Sequence, residues 1–238
     1  MAGHSKFANI KHRKAAQDKK RSNVFTKVAR EIIVAAKLGN PDPNFNPRLR
    51  QAITAAKKIS MPKDKIDAAL KKASSNADGE NYEEIRYEGY SPGGVAIIIE
   101  ALSDNRNRTA AEVRTILAKS GGNLGESGSV SFMFDRIGYI CYKSSIATED
   151  EMLEIAIEAG AEEAESDEEM HHIITRPEDL AEVAKIIAQK FGEPEEEKLS
   201  WRANTTSEVS EEQAEKINNI IEKLEDSDDV KEVFSNMS

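Results

Sequence analysis

Two groups of residues have the types and spacing to hold anions. The first opens the chain, which begins MAGHSKFANIKHRKAAQDKKRSNVFTKVAR and carries nine Lys or Arg in thirty residues against one acid, Asp18. These are Lys6, Lys11, Arg13, Lys14, Lys19, Lys20, Arg21, Lys27 and Arg30, and Arg48, Arg50, Lys57 and Lys58 extend the series. Cations at this density bind phosphodiester chains by releasing counterions. An arm and first helix that neutralise ~6–8 phosphates predict a log–log salt slope of roughly −5 to −7. They supply affinity but little reading of sequence, because base edges demand individually posed side chains. Phe7 offers a ring for stacking and His4 and His12 can stack or donate, which suits unpaired RNA; Phe7 docked on the protein itself is an equal alternative. The second group is Arg106 and Arg108 beside Thr109, where two guanidiniums and free helix N–H groups would face a phosphate. Pairing of those arginines with nearby carboxylates is at least as strong an expectation.

Other chemistries fit poorly. His171 and His172 are adjacent, so on a strand they face opposite sides and cannot chelate one metal together. The acidic run from Glu162 to Glu169 lacks the spacing of a calcium loop and reads as a solvated loop. GGNLGESGS lacks the Gly-Lys-Ser/Thr ending of a nucleotide-binding loop and reads as turns. Cys141, the single cysteine, lies in an apolar strand-like run and is expected to be a buried, inert thiol. No nucleophile–base constellation stands out, so the sequence points away from an enzyme and calls for no metal or cofactor.

Charge is segregated along the chain. Residues 1–75 hold 18 Lys or Arg and 5 Asp or Glu, a net of +13, while the remainder holds 15 and 38, a net of −23. The overall −10 therefore hides a cationic leading end, and a local field steers ligands where a total does not. The expected partner of that end is nucleic acid, DNA or ribosomal RNA, while the acidic remainder is a possible protein-binding body. No apolar run reaches the ~20 residues of a membrane span, and the N-terminus lacks the apolar core of a secretory signal. A cytoplasmic location is expected.

The elements that must position these residues read as helices first and mixed structure afterwards. Up to Arg21 apolar residues are too sparse to offset the entropy of ordering. Val24, Val28, Ile32 and Ala36 then recur at helical spacing, with Gly39 placed to end the helix. After the loop GNPDPNFN, Asn46 caps a second helix with Pro47 in its first turn, and Leu49, Ile53, Ala56 and Ile59 line one side. Pro62 opens a third helix through Ile66, Ala69, Leu70 and Ala73. A helix-turn-helix over residues 47–73 is a minority reading, because the SMP break lacks the usual glycine.

Beyond the polar linker SSNADGEN, two strands flank the turn YSPGG, and Thr109 with Glu112 reads as a capping box for the helix that follows. SVSFMFDRIGYICY reads as a strand pair or one long bent strand. Met152–Ala159 reads as a helix, HHIITR as a strand after a loop, Pro177 as the opening of a helix, and 199–205 as a further strand. A helix over 211–224 and a strand over 230–234 close the chain and need a sheet to lie on. The expected architecture is α+β: a basic arm and three-helix bundle, then two small α+β domains. The expected boundaries are 1–77, a discontinuous domain of 78–129 with 207–238, and an inserted domain of 130–206.

Several of these stretches also carry a family resemblance. MAGHSKFANIKHRKAAQDKKR, FTKVAREI, MPKDKI, YEGYSPGGVAIIIEALSDNRNRTAAEVR and GGNLGESGSV together resemble the YebC/PmpR family. That family includes probable bacterial transcriptional regulators and the mitochondrial translational activator of cytochrome c oxidase subunit I. The resemblance implies a three-helix N-terminal domain followed by two α+β domains. It implies two activities, DNA binding at promoters and ribosome-associated relief of stalled translation. Of these, a DNA-binding transcriptional regulator is the first expectation and a translation factor on ribosomal RNA the alternative. The match begins at Ala2, which favours a bacterial cytoplasmic member over an imported one. The chain departs from the family at Phe7, usually Trp, and at Ser91, usually Gly, where a side chain narrows the backbone conformations open to the turn.

Overall fold

A computed structural model describes residues 22–74 and 82–238. The arm residues Lys6, Phe7, Lys11, His12, Arg13, Lys14, Lys19, Lys20 and Arg21 lie outside the described residues. Contacts divide the chain into two compact units: residues up to Val130 together with Glu208–Met237, and Ser131–Ser207.

The first unit opens with three helices: α1 (22–38), α2 (Pro47–Lys58) and α3 (Lys63–Ser74). Their apolar positions recur every three or four residues, so each helix turns one stripe inward. Ile32, Ile33, Leu49, Ala52, Ala56, Met61 and Ile66 close into one core. The alanines of this core, Ala35, Ala36, Ala52, Ala56 and Ala69, let the helix backbones approach.

Strands β1 (Glu83–Tyr90) and β2 (Ala96–Ser103) form an antiparallel hairpin around Pro92–Gly94. Gly93 and Gly94 take φ of 84° and 78°, a region where glycine has no Cβ to clash. Ser91 sits at φ −86°, ψ 172°, which any residue adopts, so the departure from glycine costs this turn nothing. Helix α4 (Arg106–Lys119), the two-residue strand β3 (Asn123–Leu124), and, after the second unit, α7 (Glu211–Glu225) and β8 (Val230–Ser235) complete the unit. The sheet order is β3-β1-β2-β8. Ile85, Tyr87, Ile97, Ile99 and Ala101 alternate onto the face that packs against Val113, Leu117, Ile220 and Leu224 of the two helices. The closing helix starts on a capping box between Ser210 and Gln213.

The second unit runs β4 (Phe134–Lys143), α5 (Glu149–Ala159), β5 (Glu163–Ser166), β6 (Met170–Thr175), α6 (Leu180–Phe191) and β7 (Glu196–Ala203). Its sheet is antiparallel with order β5-β6-β4-β7, and Ile140, Tyr142 and Ile173 meet Met152, Ala156, Val183 and Ile187 in the core. Both units are therefore helices on a four-stranded sheet, and the fold is α+β.

Several local expectations are corrected. Helix α4 starts earlier than the Thr109 reading: Asn105 is its cap, accepting from the Arg108 N–H at 3.0 Å. Thr109 is already inside the helix and fully buried. Pro177 lies in a turn, and α6 begins at Leu180. Ser131–Met133 is one 3-10 turn, leaving a single strand after it. Part of the acidic run, Glu163–Ser166, is not loop but the edge strand β5 paired with β6. Acidic side chains on an edge discourage pairing with other chains, which explains why a strand there looks like a loop in the sequence.

Candidate nucleic-acid interface

Helix α2 presents the clearest cationic face among the described residues. Asn46 caps it, accepting from the Leu49 N–H at 3.0 Å, and Pro47 supplies the first turn. Leu49, Ala52 and Ala56 turn into the core, leaving Arg50, Gln51, Thr54, Ala55, Lys57 and Lys58 exposed. Arg50 and Lys57 are two turns apart and share a face. The helix contains no acid, and its exposed cations run from Arg50 to Lys58, ~12 Å along the axis. Lys57 and Lys58 also lie at the C-terminal end, where cations complement the helix dipole.

The next helix differs. Between α2 and α3, Ser60 takes φ 57°, so a serine fills the left-handed position that a glycine usually takes. Helix α3, KDKIDAALKKAS, exposes Asp64 and Asp67 among its lysines. The Lys65 ammonium lies 5.2 Å from the centre of the Phe25 ring. This helix has no Arg, Asn or Gln, the planar forks that pair with purine edges. As the second helix of a helix-turn-helix it offers phosphate contacts interrupted by carboxylates.

Several of the expected nucleic-acid contacts are engaged by the fold itself. Asn23, Lys27 and Arg30 fall at i, i+4 and i+7 on α1, along one side. That side runs past the end of α7, whose last carbonyls have no partner within the helix. Asn23 donates to the Asp226 carbonyl at 3.0 Å, Lys27 to the Glu225 carbonyl, and Arg30 to the Asp228 carbonyl at 2.7 Å. Burial pushes the Lys27 ammonium down from its usual value, against the carboxylates of Glu225, Asp226 and Asp228. The Arg30 guanidinium also binds the Asp229 carboxylate at 2.6 Å and lies 5.5 Å from the centre of the Tyr82 ring. Arg48 leaves the exposed face of α2 and pairs with Glu31 at 2.7 Å and Glu84 at 2.5 Å. Burial opposes ionisation of Glu31, but the hydrogen bond and charge of Arg48, with Lys231, hold its carboxyl below the usual range. Lys27, Arg30 and Arg48 therefore fasten the bundle to the first sheet unit instead of facing outward.

The second anion site already holds an anion from the chain. Asp229 is 4% exposed and its carboxylate sits at the start of α4. It receives Arg108 at 2.8 Å, the Thr109 hydroxyl at 2.7 Å and the Ser103 hydroxyl at 3.0 Å on Oδ2, with Arg30 on Oδ1. Arg108 also reaches Asp104 at 2.8 Å. The hydrogen bonds that Arg108 donates to the Asp229 and Asp104 carboxylates push the guanidinium further up from its ordinary value. Burial alone would raise the Asp229 carboxyl, but the bonds from Thr109, Arg108, Arg30 and Ser103 hold it below the usual carboxylate range. Arg108 and Thr109 thus serve an internal carboxylate. Arg106 is exposed, and its carbonyl accepts from the Tyr87 hydroxyl at 2.9 Å. Sequence reasoning missed Asp229, whose one trace is the acidic run DSDDV where α7 hands over to β8.

Elsewhere, His171 donates from Nε2 to the Ala147 carbonyl at 3.1 Å and meets the Ser166 hydroxyl at 2.6 Å inside the second unit, while His172 stacks on Tyr139 and meets Asp167 at 2.9 Å. The two rings do point to opposite faces of β6. Cys141 is buried, and burial pushes its thiol up, away from the reactive thiolate. Among the described residues no group of three or more His, Cys, Asp or Glu could hold a metal ion, and no helix is long and apolar enough to cross a membrane.

Two family models cover nearly the whole chain. Residues 5–76 match the TACO1/YebC protein N-terminal domain, and residues 82–237 match the TACO1/YebC second and third domain, a model named for transcriptional regulators. The chain belongs to the TACO1/YebC family. A solved relative of this TACO1/YebC protein is the conserved hypothetical protein Aq1575 from Aquifex aeolicus, 46% identical over 92% of this chain and 90% of that one, with a TM-score of 0.85. The first match spans the arm and the three helices that carry the cationic face, and the second spans both sheet units.

Proposed function

We propose that this TACO1/YebC protein is a nucleic-acid-binding regulatory protein that grips RNA backbones through its N-terminal helices and acts in translation on ribosomal RNA. The observation that carries this reading is the exposed, acid-free face of α2, set beside an α3 that lacks planar base-reading side chains. Such a surface binds phosphates wherever they are presented and leaves specificity to the shape of the nucleic acid, which is how folded RNA is recognised. The arm adds seven further cations, Lys6, Lys11, Arg13, Lys14, Lys19, Lys20 and Arg21, to the charge of the N-terminal domain, and the acidic sheet units are held off phosphates by their own charge. Neither role requires a catalytic group.

A DNA-binding transcriptional regulator is the second reading. It is favoured by the name of the matching family model and by the α2–turn–α3 order. Crosslinking in cells, followed by sequencing of both the RNA and the DNA recovered, separates the two. Ribosomal RNA is expected to dominate; promoter DNA enriched without ribosomal RNA would reverse the order.

A further inference from the structure

The loop between α1 and α2 holds a large apolar ring in water. Phe45 is 74% exposed, on a chain with only 5% aromatic residues. The loop that carries it is built, not slack. Asn40 accepts from the Asp42 N–H and Asp42 from the Asn44 N–H, both at 2.9 Å, and Phe45 donates its own N–H to the Asp42 carbonyl at 3.0 Å. Next to it the Asn46 amide, 6% exposed, donates to the carbonyls of Ala35 at 2.7 Å and Asn40 at 2.8 Å while its oxygen caps α2. Gly39 makes room for that amide, since a Cβ there would come within 2.6 Å of it. The loop backbone on either side of Phe45 is hydrogen-bonded, and the ring itself is exposed.

Its setting indicates the ligand. Phe45 precedes the acid-free helix α2, and the Arg50 guanidinium reaches back to the Pro43 carbonyl of the same loop at 3.4 Å. An aromatic face followed by a line of cations, Arg50 then Lys57 and Lys58, matches the alternation of base and phosphate in a single strand. We propose that Phe45 is a stacking site for one unpaired nucleobase, with Arg50 on the adjoining phosphate. Stacking takes any base, so the site selects unpaired over paired RNA without choosing a sequence. This inference rests on the nucleic-acid reading above and adds to it the kind of strand bound.

The test compares the full-length protein on a labelled, unstructured 12-nucleotide RNA and on an RNA duplex of the same length. Phe45→Ala is expected to weaken binding to the single strand roughly 5- to 150-fold, the weight of one stacked base, with an unchanged salt slope. Duplex binding should stay within about twofold, and the thermal midpoint should not move, because the ring is outside the core. Phe45→Trp in a Trp201→Phe background should keep the affinity, and its introduced indole should be quenched at saturation. Single-strand binding by Phe45→Ala within about twofold of the parent overturns the inference. So does an equal loss on both RNAs, or a loss seen only in capture of a protein partner. In those cases weakened binding by Arg50→Gln, Lys57→Gln and Lys58→Gln would leave the nucleic-acid reading standing; a parent that binds neither RNA sinks both.

Discussion

The cations of α2 and those gathered around Asp229 are the same kinds of residue put to opposite uses. On α2, Arg50, Lys57 and Lys58 occupy a face without a single acid and remain exposed. Around Asp229, Arg30 and Arg108 converge on one buried carboxylate together with the Thr109 and Ser103 hydroxyls. Both are dense in positive charge along the chain, yet only the second converges on a buried carboxylate. The difference lies in what folding brings opposite them. Along α2 no acid of the helix itself stands beside Arg50, Lys57 and Lys58. Opposite α1 and the start of α4 stands a carboxylate 199 and 121 residues away in sequence. Composition therefore reports how much cation a segment has, and topology decides how much of it is available.

Removing Asp229 should break the comparison most visibly. Asp229→Ala strands two guanidiniums and two hydroxyls around a buried vacancy and cuts the link between α1 and the first sheet unit. Because Arg108 remains half exposed, a loss of roughly 2–4 kcal/mol is expected, below the upper range for a buried pair. Urea unfolding followed by circular dichroism measures it, and a change under about 0.5 kcal/mol would show that the cluster is ornamental. The pH dependence has a definite sign. The folded carboxyl is held below its unfolded value, so its contribution is complete above the unfolded value near ~4 and is lost as pH falls through the lower folded one. Asp229→Asn should therefore show a flatter fall in stability below about pH 4 than the parent. An unchanged acid limb would place the proton uptake elsewhere.

Neutralising the other set should do the reverse. Arg50→Gln with Lys57→Gln and Lys58→Gln is expected to leave unfolding free energy within about 0.5 kcal/mol, since these side chains are exposed. Affinity for nucleic acid should drop, and the salt slope should become shallower by about 2 on single strands or about 2.7 on duplex. Arg30→Gln is the control: stability should fall and the slope should hold. If the Arg30 variant changes the slope as much as the α2 variants do, the division between the two sets of cations is wrong.

The parts of this molecule written in local pattern were legible in the sequence. The α+β class, the Asn46 cap with Pro47, the hairpin at Pro92–Gly94 and the closing helix through Leu224 all follow from spacing within about a dozen residues. What was not legible depends on distant partners. Strand β3 has two residues and exists only because Gly89 and Tyr90 stand beside it. Strand β5 is acidic enough to read as loop until β6 pairs with it. Thr109 has the chemistry of a cap, but Asn105 takes that position and Asp229 takes the hydroxyl. Among the site residues, Arg48 looked no different from Arg50, two positions on, because nothing local announces Glu31 and Glu84.

The smallest expected effect concerns the turn that separates α2 from α3. Ser60 holds φ 57° without being glycine, and a side chain in that conformation costs about 1–2 kcal/mol. Ser60→Gly relieves the strain but frees the unfolded chain, so a net gain of only about 0.5 kcal/mol is expected. The gain should appear in urea unfolding and leave RNA affinity and salt slope where they were, because the cations of α2 precede the turn and keep their positions. A change in affinity with this substitution would mean that the angle between α2 and α3 matters to binding. Both helices would then have to engage the nucleic acid together, as in a helix-turn-helix on duplex DNA, and the transcriptional reading would gain over the translational one.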